Sequence, residues 1–336
     1  MASPFADYVR LLPKTIPLPT FYTSEQRKLL YGTSLRDALD QKLVSLDREF
    51  EELEELTSNI EWCQKHWWDD EDGVVTLDDW KLADAMYRSR ALDLPNTGHA
   101  MVPVLDMANH VSDNRRNARF EVAQDGSVLL VREDGGSIKK DEEINITYGP
   151  GGACETIFSY GFLDEGATSA RELFLSLDIP LDDPLRIPKK AAADEAPGVR
   201  IFVDSEGAIQ WEGTLVWWSC VNQEDGLDFQ MIQTQDGARE LRTLWRNDEF
   251  SPAEFRYMIA KDENFDIFSL RATVMVQERV EEQGVALAGS QEEFEEASQQ
   301  KDHVLRDVLN RLRNLEMDLL TSAYEALEKQ VCMSTT

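Results

Sequence analysis

The sequence predicts an α+β fold in which helices surround a β-rich middle. Apolar residues recur at helical spacing in the first quarter of the chain and again beyond residue 235, whereas turn signals and alternating apolar residues occupy 100–150. With 336 residues the chain is long enough for about two domains, at roughly 100–200 residues each. Prolines place their boundary within 180–200, so the expected domains are 1–180 and 181–336.

The N-terminal part is predicted to be extended at first and helical afterwards. Four prolines in the first 23 residues disfavour a helix there. Thr23 with Gln26 fits a capping box for a short helix, and Thr33 or Ser34 can cap a long one. The long helix carries an apolar stripe with spacings of three and four: Leu35, Leu39, Leu43, Leu46, Phe50, Leu53, Leu56 and Ile60. Core packing explains the stripe most simply, and a coiled-coil dimer is the alternative.

A second capping box predicts the next helix. Thr76 with Asp79 fits this box, and the helix should run to about Arg90, where LPNTG at 94–98 ends it. The preceding DDEDG at 69–73 is typical of an acidic loop.

The middle of the chain is predicted to form strands. An apolar run at 101–105 favours one strand. Segments 119–123 and 127–131 flank an Asp-Gly turn signal and predict a hairpin. Alternating apolar residues at 143–149 are typical of a half-buried strand.

The C-terminal part is predicted to be mainly helical. RIFVD and AIQWEG around SEG at 205–207 favour one more hairpin, and Trp217 and Trp218 should be core residues of this small β segment. Helical spacing then predicts helices at 236–247, 251–262, 266–283 and 290–330.

The net charge of the chain indicates which classes of binding partner to expect. Lys and Arg number 34 and Asp and Glu number 64, which gives a net charge of −30. Such a surface repels phosphate backbones and anionic lipids, so we expect no direct nucleic-acid or membrane binding. It would attract a basic partner, although solubility alone also explains the acidity.

Other features indicate a cytoplasmic or nuclear protein without a metal. The four cysteines are far apart, which indicates neither a zinc cluster nor a disulfide framework and favours a reducing compartment. No apolar run approaches the ~18 residues of a transmembrane helix, and no signal-peptide pattern opens the chain.

Two short stretches carry the chemistry. One is VLDMANH at 104–110, and the other is EEINITYG at 142–149, followed by Tyr-Gly-Phe at 160–162. In this order, about 40 residues apart, they resemble the SET-domain protein-lysine methyltransferases, in the branch that includes the Rubisco large-subunit methyltransferase. That branch typically has P-x-x-D-x-x-N-H, then G-E-E-x-x-I-x-Y-G, then Y-G-F. The resemblance covers nearly the whole chain and is strongest over 86–163.

The resemblance also implies how the domains are arranged along the chain. A helical insert of about 1–92 would end in Ser-Arg, and its start at FADYVRLLP matches the branch's Y-x-x-x-L-P. A SET β-core of about 93–165 would follow, and then a mainly helical substrate-binding domain. In that domain Arg313, Glu316, Leu319 and Ala323 echo an R-x-x-E-x-x-L motif.

The family's reaction is methyl transfer from S-adenosylmethionine to a lysine side chain. The leaving group is neutral, so no metal is needed. The nucleophile must be a neutral amine, although free lysine has a pKa near 10.4. An apolar channel and a nearby sulfonium both disfavour the ammonium, and catalysis is then mostly alignment and electrostatics.

The resemblance implies a role for each motif residue. Tyr148 would be the catalytic tyrosine beside the transferred methyl group. The remaining residues would bind the cofactor or shape its pocket and the lysine channel: Arg90, which would face the cofactor's carboxylate, Asp106, Asn109, His110, Tyr160, Gly161 and Phe162. Simpler alternatives are a structural tyrosine at a strand end, a turn at Asn109-His110, a surface arginine at a helix end and ordinary aromatic packing.

The sequence departs from the branch in two places. Asp141 stands where the branch has glycine, and aspartate tolerates a positive φ better than most residues. The branch's first SET strands, with their glycine motif, precede the helical insert, so we expect an N-terminally truncated SET core. A fragment, strands supplied by a partner, and a loss of activity are three explanations of this expectation.

We therefore expect an S-adenosylmethionine-dependent protein-lysine N-methyltransferase that acts on a basic, lysine-containing protein. The alternative is a catalytically inactive SET-like module or fragment that binds a basic partner. An acidic helical scaffold is a third hypothesis, but it does not explain the ordered motifs.

Overall fold

The computed structural model describes residues 3–69, 74–95, 97–133, 135–193, 197–233, 237–297 and 303–334. The chain divides into two compact units. Unit 1 comprises Met1–Leu30, Leu35–Thr168 and Glu296–Leu312, and unit 2 comprises Tyr31–Ser34, Ser169–Glu295 and Arg313–Thr336. Both helices and sheets are present, which confirms the predicted α+β class. The boundary between domains 1–180 and 181–336 stays a prediction.

The first helices follow the capping signals. Their bounds are α1 Ala6–Leu11, α2 Ser24–Lys28, α3 Ser34–Thr57, α4 Glu61–Cys63, a π-helix at Gln64–Trp68 and α5 Leu77–Arg90. Both predicted capping boxes form, at Thr23 and at Thr76. The expectation of an extended N-terminus is wrong over α1, because the prolines flank this helix and do not interrupt it. A 3₁₀ turn at Pro19–Phe21 also forms there.

The stripe of α3 is buried over only part of its length. Leu35, Leu39 and Leu46 are fully buried, whereas Leu56 and Ile60 are exposed. Of the predicted acidic loop at 69–73, residues 70–73 lie outside the described residues.

Short strands build the middle of unit 1. They are β1 Ala91–Leu94, β2 Gly98–Met101, β3 Asn109–His110, β4 Ala118–Val122, β5 Val128–Arg132 and β6 Asn145–Ile146, and α6 Ala153–Tyr160 follows. The predicted hairpin around the Asp-Gly turn is confirmed as the antiparallel pair β4–β5. β1 pairs with β2 antiparallel, and β3 pairs with β6 parallel.

Two strand predictions are wrong in extent. Of 101–105, only Met101 belongs to a strand, because the chain turns at Val104, which has a φ of +75°, into a 3₁₀ turn at Leu105–Met107. Of 143–149, only β6 is a strand. A small core of Leu105, Ala108, Ala118 and Ile146 packs at this point, with Tyr148 at its margin.

Beyond Ser169 the chain contains two three-stranded sheets and long helices, all within unit 2 except Glu296–Leu312, which belongs to unit 1. The bounds are β7 Glu172–Leu175, α7 Arg186–Ala193, β8 Val199–Val203, β9 Ile209–Glu212, α8 Thr214–Cys220, β10 Leu227–Gln233, β11 Arg239–Trp245, β12 Asp248–Phe250, α9 Phe255–Ile259, α10 Phe265–Gly289, α11 Gln291–Ala297 and α12 His303–Ser334. The strand orders are β7-β8-β9 and β10-β11-β12, all antiparallel. The predicted hairpin at β8–β9 is confirmed.

Two helix predictions need correction, and a third falls partly outside the described residues. Over 236–247 the structure has β11, which pairs along its full length with β10, so strand pairing overrides the local helical pattern. Only Phe255–Ile259 is α-helical within 251–262, and of 290–330 residues 298–302 lie outside the described residues. Trp217 and Trp218 lie in α8 and not in a β segment. Trp218 is nevertheless fully buried and stacks on Phe255 at 3.8 Å between ring centroids.

A buried polar cluster within unit 2 surrounds Tyr31–Ser34. Arg313 donates to the carbonyls of Tyr31 at 2.6 Å and Leu287 at 2.7 Å. Glu316 accepts from the Ser34 amide at 3.1 Å and the Ser34 hydroxyl at 2.6 Å. Arg313 and Glu316, the first residues of the R-x-x-E-x-x-L motif, thus have a structural role in this chain.

No helix in the described part of the chain combines the length and apolar character needed to cross a membrane.

Candidate active site

The pairing of two very short strands brings the two sequence motifs together. Asn109 is in register with Asn145, and His110 with Ile146, so Tyr148 emerges beside the Asn-His motif. The Tyr148 amide donates to Nδ1 of His110 at 3.1 Å, and its hydroxyl donates to the Ala108 carbonyl at 2.8 Å. Tyr148 is therefore fixed at both its backbone and its hydroxyl.

Four aromatic rings meet at this point. Tyr148 lies 4.7 Å from Tyr160 and 5.2 Å from His110 between ring centroids. Phe162 lies 5.5 Å from His110 and 6.1 Å from Tyr160. Burial raises the pKa of both tyrosine hydroxyls, so both phenols stay protonated at neutral pH.

Gly161 sets the direction of this aromatic pair. It ends α6 in the left-handed conformation, with a φ of +78°, and so redirects the chain between Tyr160 and Phe162. A β-carbon at this position would lie 2.7 Å from the Pro17 carbonyl oxygen. Glycine is therefore required both by the backbone conformation and by the close approach of the N-terminal segment.

A buried ion pair lies beside the aromatic rings. Nη1 of Arg90 lies 3.3 Å from Oδ2 of Asp106 and donates to the Asp106 carbonyl at 3.1 Å. The Tyr8 hydroxyl donates to the same Oδ2 at 2.6 Å. Burial, followed by the contact with Asp106, raises the pKa of Tyr8 to about 12. The Asp106 side chain is fully buried, yet its Oδ1 and the Nε of Arg90 have no partner among the described residues.

Polar contacts also hold the Asn-His motif. Asn109 donates to the Glu143 carboxylate at 2.5 Å. Nε2 of His110 lies 3.6 Å from Oδ2 of Asp164, which also accepts from Ser112 at 2.8 Å. The Gly166 amide, Ser112 and His110 all lower the pKa of Asp164, so this residue stays ionised beside the imidazole.

Two cavities adjoin at these residues. One has a volume of about 400 Å³ and the other about 380 Å³, and both are within the range of about 300–1,000 Å³ of small-molecule sites. Both are lined by Ser89, Arg90, Asp106, Tyr148 and Tyr160. Asn109, Phe162 and the N-terminal segment line only the first cavity, whereas Glu155 and Ala108 line only the second.

The structure thus brings the predicted site residues into one place, although their roles stay predictions. Arg90 was expected to face a ligand carboxylate, and in this structure it already pairs with Asp106. Asp141, which stands where the branch has glycine, adopts the expected left-handed conformation, with a φ of +65°.

Sequence reasoning missed three residues of the site. Tyr8, Glu143 and Asp164 contact Asp106, Asn109 and His110 respectively. The signal for Tyr8 was present, since it is the tyrosine of the quoted Y-x-x-x-L-P start, and Glu143 lies in the quoted E-E pair. Asp164 follows Tyr-Gly-Phe by two residues and belongs to no quoted motif. In the described ranges, His, Cys, Asp and Glu do not cluster in threes as a metal site.

Sequence comparison relates the chain to SET-domain proteins. It is 27% identical over 274 residues to SET domain-containing protein 8 of Schizosaccharomyces pombe, and this alignment covers 81% of this chain and 60% of the relative. It is 25% identical over 189 residues to the N-lysine methyltransferase setd6 of Salmo salar, which covers 53% of this chain and 39% of the relative. The chain therefore spans less than two thirds of the length of either curated relative. No protein-family model matches it.

Comparison with solved structures also relates the chain to SET-domain proteins. The SET domain of LSMT bound to lysine and AdoHcy matches 99% of this chain and 72% of its own, with a TM-score of 0.66 and 19% identity. Rubisco LSMT bound to AdoMet matches 98% of this chain and 72% of its own, with a TM-score of 0.65 and 16% identity. The fold is that of the SET-domain methyltransferases. The predicted resemblance to their Rubisco methyltransferase-like branch is confirmed.

Proposed function

We propose that this chain is an S-adenosylmethionine-dependent protein-lysine N-methyltransferase, or the part of one that contains the catalytic tyrosine. The observation that carries the proposal is the position of Tyr148. It lies in the wall shared by two adjoining cavities, beside a buried carboxylate with an unpartnered oxygen. Two reactants that occupied the two cavities would meet at this residue.

The residues of the site fit the amino-acid end of the cofactor. Oδ1 of Asp106 is a buried acceptor without a partner, and an ammonium group would satisfy it. Nε of Arg90 is a buried donor without a partner, and a carboxylate would satisfy it. An α-amino acid has both groups. Asn109 lines the same cavity and would contribute further hydrogen bonds, whereas His110 would hold the backbone of Tyr148 in place.

Tyr148 would position the lysine amine. Its hydroxyl hydrogen is already donated to the Ala108 carbonyl, so the oxygen presents its lone pairs to the cavities. An amine N–H can donate to these lone pairs, and such a bond would align the nitrogen lone pair for attack. S-adenosylmethionine supplies the methyl group as a sulfonium, which leaves as a neutral thioether.

The proton balance excludes Tyr148 as the general base. The lysine ammonium must lose one proton before its nitrogen can form the new bond to carbon. A phenolate would be needed to accept that proton, and burial raises the pKa of Tyr148. We therefore expect the ammonium to release its proton to solvent before it reaches the hydroxyl.

The neighbouring structures support this proposal. Rubisco LSMT has been solved with AdoMet, and with sinefungin together with monomethyllysine. The net charge of −30 favours a basic, lysine-containing protein as the substrate. A cytosolic or nuclear location and the absence of nucleic-acid and membrane binding stay predictions from composition.

Replacing Tyr148 with phenylalanine tests the proposal. The acceptors are free L-lysine and a mixture of basic proteins, and transfer from S-adenosylmethionine with a labelled methyl group is measured. We expect Tyr148→Phe to lower the rate about 10²-fold or more, because it removes one fixed polar group at the reacting atoms. Tyr87→Phe is the matched control, since that hydroxyl also donates to a backbone carbonyl, of His99 at 3.2 Å, but lines neither cavity.

The alternative is a SET-like module that binds a basic protein without methylating it. The unpartnered Oδ1 of Asp106 is compatible with this alternative, because a bound amine satisfies it whether or not methyl transfer follows. Binding of S-adenosylmethionine without transfer to any acceptor by the wild-type chain would favour the module and overturn the enzyme.

A further inference from the structure

The segment from the end of α3 through α4 to the π-helix carries exposed apolar side chains that line neither cavity. Trp62 is 60% exposed, Leu56 76% and Ile60 49%. We call these three residues, together with His66, the tryptophan patch. Large exposed apolar side chains grouped within one short stretch of chain can mark an interaction surface.

Trp62 is held in place although it is exposed. Its ring centroid lies 4.9 Å from His66 and 5.8 Å from Trp67, which in turn contacts Trp68. Trp68 donates to the Thr57 hydroxyl at 3.2 Å, which ties this aromatic row to α3. A partner that contacts Trp62 would therefore have to order the Trp62 side chain very little, which favours binding.

A π-helix follows directly after α4, the helix that contains Trp62. The Asp69 amide donates to the Gln64 carbonyl at 2.8 Å, a bond over five residues that inserts one residue into the helical turn. Trp67 and Trp68 are half-buried, whereas Trp62 and His66, four residues apart, share the exposed face. π-Helical insertions occur frequently at functional sites.

The chain segment that carries the tryptophan patch is strongly acidic. Between residues 49 and 69 the sequence has seven acidic residues against a single cation, Lys65: Glu49, Glu51, Glu52, Glu54, Glu55, Glu61 and Asp69. Glu55, Glu61 and Asp69 are exposed. An exposed indole face attracts a cation, and these carboxylates raise the local concentration of one.

We propose that the tryptophan patch binds a basic segment of a partner protein, in which lysine or arginine alternates with apolar side chains. The cations would meet the indole face and the carboxylates, and the apolar side chains would cover Leu56 and Ile60. Charge disfavours the other occupants. A second copy of this chain in a two-fold contact would bring two acidic rims together, and an anionic membrane would be repelled. The patch shares no residue with the lining of the two cavities, so this proposal does not depend on methyl transfer.

Binding of a defined probe to the full chain tests the proposal. The probe is a short dye-labelled peptide of alternating lysine and leucine, measured by fluorescence anisotropy without S-adenosylmethionine. We expect Trp62→Ala to weaken binding about tenfold through the lost cation–π and apolar contacts. Glu55→Lys with Glu61→Lys should weaken it by a similar factor at low salt, and this effect should shrink as salt is added. Trp62→Ala should leave methyl transfer to free L-lysine unchanged, because Trp62 lines neither cavity, so failure of this proposal and failure of the proposed catalysis are distinguishable.

Matched variants separate the tryptophan patch from general attraction to an acidic protein. Leu181→Ala removes a side chain that is 87% exposed elsewhere, and Glu292→Lys with Glu293→Lys reverses two charges on α11. Both controls should bind as the wild type does, and circular dichroism checks that every variant is folded. Equal weakening by the controls, or unchanged binding by Trp62→Ala, would overturn the proposal. A wild-type dimer that Trp62→Ala dissociates would also overturn it, because a second copy would then be the occupant.

Discussion

Two buried arginine–carboxylate sites distinguish the units of this molecule. In unit 2 both oxygens of Glu316 accept hydrogen bonds from Ser34, and Arg313 bonds two backbone carbonyls. In unit 1 Asp106 pairs with Arg90 through one oxygen, while the other has no partner among the described residues and the side chain lines two cavities. A satisfied carboxylate orders its own chain, whereas the unsatisfied one beside the cavities is, under the proposed function, the group that would accept from a ligand.

Because only Asp106 keeps an unpartnered oxygen, substitutions at the two carboxylates should affect different properties. Loss of Glu316 should change the free energy of unfolding, and loss of Asp106 should change ligand affinity. The predictions below test that contrast, from the largest expected effect to the smallest.

Glu316→Ala should lower the free energy of unfolding by about 3 kcal/mol or more, because it leaves the buried Ser34 amide and hydroxyl without their acceptor and removes the side chain that fills this buried site. Urea denaturation measures the effect. Glu316→Gln keeps an acceptor oxygen and should cost less than about 1.5 kcal/mol. If the two variants were equally unstable, loss of shape and not of hydrogen bonding would be the cause.

The same residue predicts a pH dependence of stability. Burial raises the pKa of Glu316 from 4.5 to about 7. Between these values the folded chain binds more protons than the unfolded chain, so this contribution to stability is present below pH 4.5 and is lost as the pH rises to about 7. The loss amounts to about 3 kcal/mol relative to Glu316→Gln, in which nothing titrates. A wild type that kept a constant difference from Glu316→Gln across this range would contradict the assignment.

Two glycines extend the comparison between the units. Gly32 and Gly161 have φ values of +76° and +78°. A β-carbon on Gly32 would lie 2.6 Å from the Ala286 carbonyl oxygen and 2.8 Å from the Leu287 Cα, whereas on Gly161 only the Pro17 carbonyl oxygen would be closer than 3 Å. We expect alanine to destabilise by about 1–3 kcal/mol at either position, more at Gly32. Only Gly161→Ala should also weaken cofactor binding, since it redirects Tyr160 and Phe162, and calorimetry measures both effects.

Local signals predicted the local structure well. The capping boxes at Thr23 and Thr76 and the Asp-Gly hairpin depend on residues within a few positions of one another, and each forms as predicted. By contrast, 236–247 was predicted to be helical because its apolar spacing permits a helix. Pairing with β10 decides the outcome, and Arg246 and Asn247, both with positive φ, form the two-residue turn to β12.

The site was predictable as a set of residues but not as a set of contacts. The ordered motifs identified Tyr148, Asn109 and His110 by their resemblance to a family. The contact of Tyr8 with Asp106 spans 98 positions and that of Ser34 with Glu316 spans 282, and no periodicity in the sequence records such pairs. Which buried carboxylate keeps an oxygen free is likewise a property of the packed chain alone.

Titration of S-adenosylmethionine into the purified chain by calorimetry tests the central claim most directly. We predict binding in the micromolar range that Asp106→Asn and Asn109→Ala each weaken about tenfold, the former because it removes the charge that would pair with an ammonium. Asp225→Asn is the matched control, since Asp225 also pairs with an arginine, Arg271 at 2.7 Å, but in unit 2, and it should bind as the wild type does. A folded wild-type chain that binds no S-adenosylmethionine, or an Asp106→Asn variant that binds it unchanged, would contradict the account.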